Sequence, residues 1–291
     1  MYRGAYTALI TPFNTDESID EDALRDLVEF QIAEGISGLV PVGTTGESPT
    51  VTHRENVEVV RIVVEQAGGR VPVIAGTGSN STMEAIEMTR QAKEIGASAS
   101  LQVAPYYNKP SQEGFYRHFS TIADEIDLPH VVYNIPGRTG KNIENDTMLR
   151  LAEHPNIVAV KEASGSMPQV MDLIARKPSD FAVLSGDDNL TLPILALGGV
   201  GVISVASNLI PARMRKLVDS FLAGDLEAAR AEHYALLPFF KGLFLDTNPI
   251  PIKYAVSLAG RTQEVYRLPL CPMSSSDKQS FEKIMRDCRL L

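Results

Sequence analysis

One lysine sits inside an apolar, strand-like run, Ile157-Val158-Ala159-Val160-Lys161-Glu162-Ala163, and it is the residue of this chain best suited to covalent chemistry. Burial disfavours a charged ammonium and lowers its pKa, which frees the amine to attack a carbonyl and form a Schiff base. The competing reading is a strand-end lysine whose stem lies on apolar surface while its head reaches water. Further polar residues follow other apolar runs. Gly43-Thr44-Thr45-Gly46-Glu47-Ser48 offers close backbone approach and two threonine hydroxyls, suited to holding a carboxylate or relaying a proton. It also reads as a tight turn with local hydrogen bonds. Pro105-Tyr106-Tyr107-Asn108-Lys109-Pro110 and Tyr133-Asn134-Ile135-Pro136-Gly137-Arg138-Thr139-Gly140 add phenols and a guanidinium. A phenol passes protons to and from a carbinolamine, and an arginine clamps a carboxylate with paired hydrogen bonds. Aromatic residues in strands more commonly pack than react, so it is their joint placement that carries the argument.

Such placement requires elements that converge. Short, nearly continuous apolar runs start near Ala5, Gly38, Val71, Ala99, His130, Ile157, Phe181 and Val202, as parallel strands covered on both faces do. Amphipathic stretches lie between them: Leu24, Leu27, Val28 and Ile32 share one helical face, and Val57, Val60 and Val64 another. Thr52 with Glu55, and Ser81 with Glu84, have capping-box spacing and mark helix starts. Eight βα units predict an α/β fold, a (β/α)8 TIM barrel over residues 1–224, with a doubly wound sheet as the alternative. From 225 to 291 the pattern is helical, through Leu226 to Leu243, Ile250 to Ala259 and Ser276 to Leu290, a C-terminal appendage. On a barrel the active site lies where strands end, which is where the polar loops above fall.

Composition narrows the chemistry. The 291 residues are 44% hydrophobic and 22% charged, an ordinary globular balance. A net charge of −9, with Lys and Arg scattered, argues against nucleic acid as a partner. No apolar run approaches the roughly 20 residues of a membrane span or resembles a signal peptide, so a cytoplasmic location is expected. Cys271 and Cys288 read as structural thiols, and His53, His118, His130, His154 and His233 form no zinc-type pair, with surface or helix-end places expected for them. Gly76-Thr77-Gly78 follows a strand, but Ser81 stands where a dinucleotide fingerprint needs its third glycine. Neither metal nor nucleotide cofactor is expected.

The Gly-Thr-Thr-Gly-Glu loop at 43–47, Tyr133 with Asn134 and Pro136, Arg138-Thr139-Gly140 and Lys161-Glu162 together resemble the dihydrodipicolinate synthase/N-acetylneuraminate lyase family of class I aldolases, over essentially the whole chain. Tyr106-Tyr107-Asn108-Lys109-Pro110, Arg138 and Asn248-Pro249-Ile250-Pro251-Ile252-Lys253 look like its synthase branch, since the lyase branches generally lack the arginine. The resemblance implies condensation of pyruvate with L-aspartate 4-semialdehyde to 4-hydroxy-tetrahydrodipicolinate, on the diaminopimelate route to lysine. It implies an imine between Lys161 and pyruvate, proton transfer by Tyr133, and a relay through Thr44 to Tyr107. In the family that second tyrosine comes from a neighbouring subunit, which implies at least a dimer and a homotetramer built as a dimer of dimers. Thr45 and nearby amides would hold the pyruvate carboxylate, Arg138 the semialdehyde carboxylate, and Gly186 and Ile203 would line the pocket. Ser48, His53, Asn80, Glu84 and Tyr106 match positions at which some members bind lysine as an inhibitor, so feedback by lysine is expected. Pro49 and Asn56 depart from the inhibited pattern, and Glu84 has the alternative role of the cap at Ser81. Two other activities compete: a retro-aldol lyase acting on a sialic acid or 2-keto-3-deoxy sugar acid, and a non-catalytic barrel that binds pyruvate or an amino acid.

Overall fold

A computed structural model describes residues 2–291. Its strands are β1 (Gly4–Ala8), β2 (Gly38–Val40), β3 (Ile74–Gly76), β4 (Ala99–Val103), β5 (His130–Asn134), β6 (Ile157–Glu162), β7 (Ala182–Ser185) and β8 (Gly201–Ser204). They pair in parallel in the order β2-β1-β8-β7-β6-β5-β4-β3. The two ends of that order meet, because Leu39 bridges Val73, and the Gly76 N–H donates to the Pro41 carbonyl at 2.9 Å. The sheet therefore curls into a nearly closed (β/α)8 barrel, and the doubly wound alternative falls away. The predicted strand starts lie within a residue of those observed except in β3, which begins at Ile74 and not at Val71. Pro72 has no N–H to give the ladder, so regular pairing starts only beyond it.

The helices are α1 (Glu21–Ala33), α2 (His53–Ala67), α3 (Thr82–Ile95), α4 (Gln112–Glu125), α5 (Pro136–Thr139), α6 (Asn145–Ala152), α7 (Met167–Arg176), α8 (Thr191–Leu197), α9 (Pro211–Leu222), α10 (Leu226–Gly242), α11 (Ile250–Leu258) and α12 (Ser275–Asp287). Thr52 and Glu55 close a full capping box on α2. The second box is only half formed: the Ser81 hydroxyl accepts from the Glu84 N–H at 3.5 Å, but the Glu84 carboxylate turns to the Ser79 hydroxyl at 2.7 Å. On α2 the buried row is Asn56, Val60, Val63 and Ala67, which leaves Val57 and Val64 half-buried at its edge.

Side chains alternate across each strand. Tyr6, Val40, Ile74, Leu101, Leu184 and Ile203 fill the barrel, while the opposite faces pack against the helices in two larger clusters. The boundary at residue 224 falls in the turn between α9 and α10, where Gly224 has φ 88°. Leu236, Phe239 and Phe281 of the C-terminal helices share one apolar cluster with Met214 and Leu217 of α9 and Val28 of α1. Three of the five histidines depart from expectation, since His118, His130 and His233 are buried, while exposed His53 opens α2 as expected. Of the two thiols expected to be structural, Cys288 is buried, whereas Cys271 is exposed. No helix among the described residues is long and apolar enough to cross a membrane.

Candidate active site

Strand alternation brings the proposed nucleophile and phenol into the barrel. Ala159 of β6 and Val131 of β5 face inward while Val160 and Val132 face the helices, so Lys161 and Tyr133, each two residues on, point inward as well. The parallel register sets Tyr133 opposite Lys161, and the Lys161 Nζ lies 4.1 Å from the centre of the Tyr133 ring. Lys161 is only 4% exposed. Burial pulls its pKa down to about 8, opposed by the nearby Asp187 and Asp188 carboxyls and assisted by the Arg138 charge. Burial also holds the Tyr133 phenol well above its ordinary range; Asp187 adds to this, while Arg138 and the Thr44 hydroxyl work against it. At neutral pH the site thus holds a phenol that keeps its proton beside an amine poised to lose one.

The loop after β2 supplies the next layer. Val42, a β-branched residue at φ 53°, and Glu47, at φ 58°, bracket a single 3-10 turn, Thr44–Gly46. Both lie in the left-handed region that non-glycine residues adopt only when their surroundings fix it. The Thr45 hydroxyl is buried and accepts from the Asn248 Nδ2 at 3.0 Å, which leaves its own proton free to donate. Arg138, exposed on α5, donates from Nη2 to the Asn248 carbonyl at 3.0 Å. Gly186 follows β7, and a Cβ there would stand 2.7 Å from Ala163 Cβ and 3.2 Å from the Lys161 stem, so glycine is what lets this loop close against the lysine. Ile203 of β8 completes the inner wall.

Two pockets adjoin this cluster. A pocket of about 330 Å³ is lined by Thr44 and Arg138 together with Ser48, His53, Glu84 and Tyr106, four of the five proposed lysine-site residues. Asn80 does not line it; its amide donates to the Tyr106 carbonyl at 3.1 Å and shapes the loop. Pro49 and Asn56 also line it, and the Asn56 amide is tied to the Gly76 carbonyl at 3.0 Å. A small cavity of about 20 Å³ lies between Thr44 and Tyr133. Tyr107 lines neither pocket: it is 90% exposed at the tip of the loop after β4, with φ 69°. One chain therefore assembles Lys161, Tyr133, Thr44, Thr45, Arg138, Gly186 and Ile203, and leaves Tyr107 outside.

Sequence reasoning passed over two aspartates. Asp187 and Asp188 lie just beyond β7, after Gly186, a strand-end position of the kind that drew attention elsewhere in the chain. Burial raises the pKa of both, and Lys161 opposes the rise at Asp187. Asp188 accepts the Val205 and Ala206 N–H groups at 3.1 and 2.9 Å, which fixes the end of β8. In the sequence, residues 248–253 read only as a mark of the synthase branch, and their contacts to the 43–47 loop, from Asn248 to Thr45 and from Lys253 to Glu47, are not visible in any local pattern.

Known proteins resemble the chain over its whole length. Residues 1–288 match the dihydrodipicolinate synthetase family. The chain is 50% identical, over its full length and that of the relative, to a protein of Geobacter sulfurreducens named 4-hydroxy-tetrahydrodipicolinate synthase. Among solved structures, the chloride-inhibited dihydrodipicolinate synthase of Acinetobacter baumannii complexed with pyruvate superposes with a TM-score of 0.98 at 40% identity, covering 100% of both chains. The enzyme of Cyanidioschyzon merolae with lysine bound superposes with a TM-score of 0.97 at 43% identity, covering 100% of this chain and 99% of that one. With a family match over nearly every residue and full-length relatives at half identity, this chain belongs to the dihydrodipicolinate synthetase family.

Proposed function

We propose that the chain condenses pyruvate with L-aspartate 4-semialdehyde to 4-hydroxy-tetrahydrodipicolinate, with residues 1–224 as the catalytic barrel and 225–291 as a helical region that buttresses it. The observation that carries the reading is the buried Lys161 amine, at a pKa of about 8, 4.1 Å from the Tyr133 ring at the strand ends of a family barrel. At pH 7 about a tenth of such an amine is unprotonated, against well under a thousandth for an ordinary lysine.

Lys161 Nζ adds to the pyruvate ketone, Tyr133 protonates the resulting alkoxide, and loss of water leaves a protonated imine. The iminium draws electrons from the methyl group, whose proton departs through Tyr133 and Thr44, and the enamine carbon attacks the aldehyde, whose oxygen takes that proton back from Tyr133 and becomes the hydroxyl. The substrate amine then adds to the imine carbon, closes the ring and releases Lys161. Thr45 holds the pyruvate carboxylate through its free hydroxyl proton, and Arg138 pairs with the semialdehyde carboxylate. Tyr107 completes the proton relay from a neighbouring subunit, a role supported by its 90% exposure and held backbone, and the assembly is a homotetramer built from two such dimers. Free lysine binds the larger pocket as an inhibitor, its ammonium on Glu84 with His53 3.9 Å beyond. The absence of a long apolar helix among the described residues is consistent with a cytoplasmic place for this reaction.

Borohydride trapping with pyruvate tests the nucleophile. The chain should gain one reduced pyruvate adduct, and Lys161→Ala should gain none; an adduct that persists on another residue overturns the assignment. Turnover of pyruvate and the semialdehyde, coupled to the following reductase, tests the reaction. Trapping without turnover would move the function to the lyase branch.

A further inference from the structure

The turn that carries Thr44 and Thr45 is held from beneath by two buried charges that take no part in imine chemistry. Glu47 ends the turn in a left-handed conformation, φ 58°, and its carboxylate accepts from the Lys253 Nζ at 2.6 Å, both side chains being fully buried. Lys253 lies in α11, 206 residues away in sequence, with its Nζ 4.1 Å from the centre of the Phe13 ring. Just before α11, Asn248 donates to the Thr45 hydroxyl and accepts from Arg138, each at 3.0 Å. One short segment, 248–253, therefore grips both ends of the 44–47 turn and the arginine at the mouth.

A buried ion pair is a poor device for stability alone, because removing two charges from water offsets most of their attraction, and apolar side chains of similar volume serve as well or better. What such a pair supplies is direction, since a charge-assisted hydrogen bond in a dry interior has one satisfactory geometry. We propose that Glu47 and Lys253 are a positioning pair for the synthase reaction: they fix the Thr44–Thr45 turn so that its hydroxyls meet pyruvate above Lys161. The proposal rests on the reading of Lys161, Thr44 and Thr45 as the pyruvate site. It deepens that reading by assigning a role to residues that never touch substrate.

Glu47→Gln, Lys253→Met and the double variant, in the full chain, separate positioning from stability. Three quantities are read: the pyruvate concentration for half-maximal borohydride trapping on Lys161, kcat against pyruvate KM in the coupled assay, and the thermal midpoint. Each single variant strands a buried polar or charged partner, so its midpoint falls. The double variant strands no charge, so its midpoint recovers, yet its half-maximal pyruvate concentration stays about 10- to 100-fold above that of the unaltered chain, because the turn has lost its anchor. Phe281→Leu, which loosens the stacked Phe239–Phe281 pair between α10 and α12, lowers the midpoint without moving the pyruvate value. A double variant that regains both midpoint and pyruvate response overturns the proposal, as does Phe281→Leu producing the same pyruvate shift. If a single variant does not fold, the double variant decides. Failure of the unaltered chain to trap pyruvate would bring down the synthase reading itself, and the positioning role with it.

Discussion

Burying an ammonium group costs free energy that the rest of the fold must supply, and the proposed nucleophile Lys161 carries that cost. Its folded pKa of about 8 lies below the ordinary 10.5, chiefly through desolvation. Between those values the unfolded chain holds the proton more tightly, so this group's contribution to stability rises as pH climbs from about 8 to about 10.5, and its full penalty is felt below 8. Lys161→Met should therefore be more stable than the unaltered chain at pH 7 by about 1 to 3 kcal/mol, with the gain shrinking toward pH 10, as urea melts at both pH values would reveal. Equal stability at pH 7 would mean that Asp187 and Asp188 offset the whole burial cost. The same pKa governs catalysis: kcat/KM for pyruvate should rise through pH 8 as the amine loses its proton, whereas a flat profile would remove Lys161 as the titrating nucleophile. Arg138→Ala should impair the semialdehyde step by about 10- to 100-fold while leaving pyruvate trapping nearly intact. Equal losses in both would make Arg138 a brace for Asn248.

At the scale of elements, α4 and β5 carry histidines that are buried neutral. His118 Nδ1 lies 2.9 Å from the Thr82 hydroxyl, and His130 bridges the Ser100 hydroxyl and the Ile126 carbonyl at 2.7 and 3.1 Å. Burial holds each pKa down at about 4, below the ordinary 6.5. The stability they contribute is fully present above 6.5 and is lost as pH falls through 4, because the unfolded chain takes up protons first. Lowering the pH from 7 to 5 should cost about 1 to 2 kcal/mol per histidine, seen as a falling urea midpoint. His118→Phe should blunt that fall; an unchanged acid response would place the sensitivity elsewhere. Charge pattern and helix periodicity did not separate these histidines from surface ones, since burial on α4 depends on which neighbour covers that face.

For the whole molecule, the informative residue is the one the chain leaves in solvent. If Tyr107 serves a neighbour's site, two inactive variants should complement each other. Co-assembled Lys161→Ala and Tyr107→Phe chains form mixed dimers in which one site carries both changes and the other carries neither, so activity should reappear on mixing. No recovery from a verified mixed assembly would remove Tyr107 from the neighbouring site. Lysine titration of the coupled assay, in the chain and in Glu84→Gln, examines the larger pocket: inhibition that the variant weakens supports the lysine site, and inhibition unchanged by it would move the ammonium contact elsewhere.

The sequence by itself determined the barrel and most of its mouth. Nearly continuous apolar runs such as Val131-Val132-Tyr133 and Ala159-Val160-Lys161 mark parallel strands covered on both faces, and eight of them with helical spacers leave few topologies, though which face of each strand turns inward is set by barrel closure. Only the tertiary structure decided the rest. That Glu84 abandons its cap for Ser79, that Asp187 stands beside Lys161, and that Lys253 reaches Glu47 across 206 residues are consequences of barrel closure and of α11 docking beneath the 43–47 turn. Such contacts join residues distant in the chain, and no local periodicity records them. The same holds for Tyr107, whose 90% exposure in a single chain is a property of the fold that the sequence around it does not record.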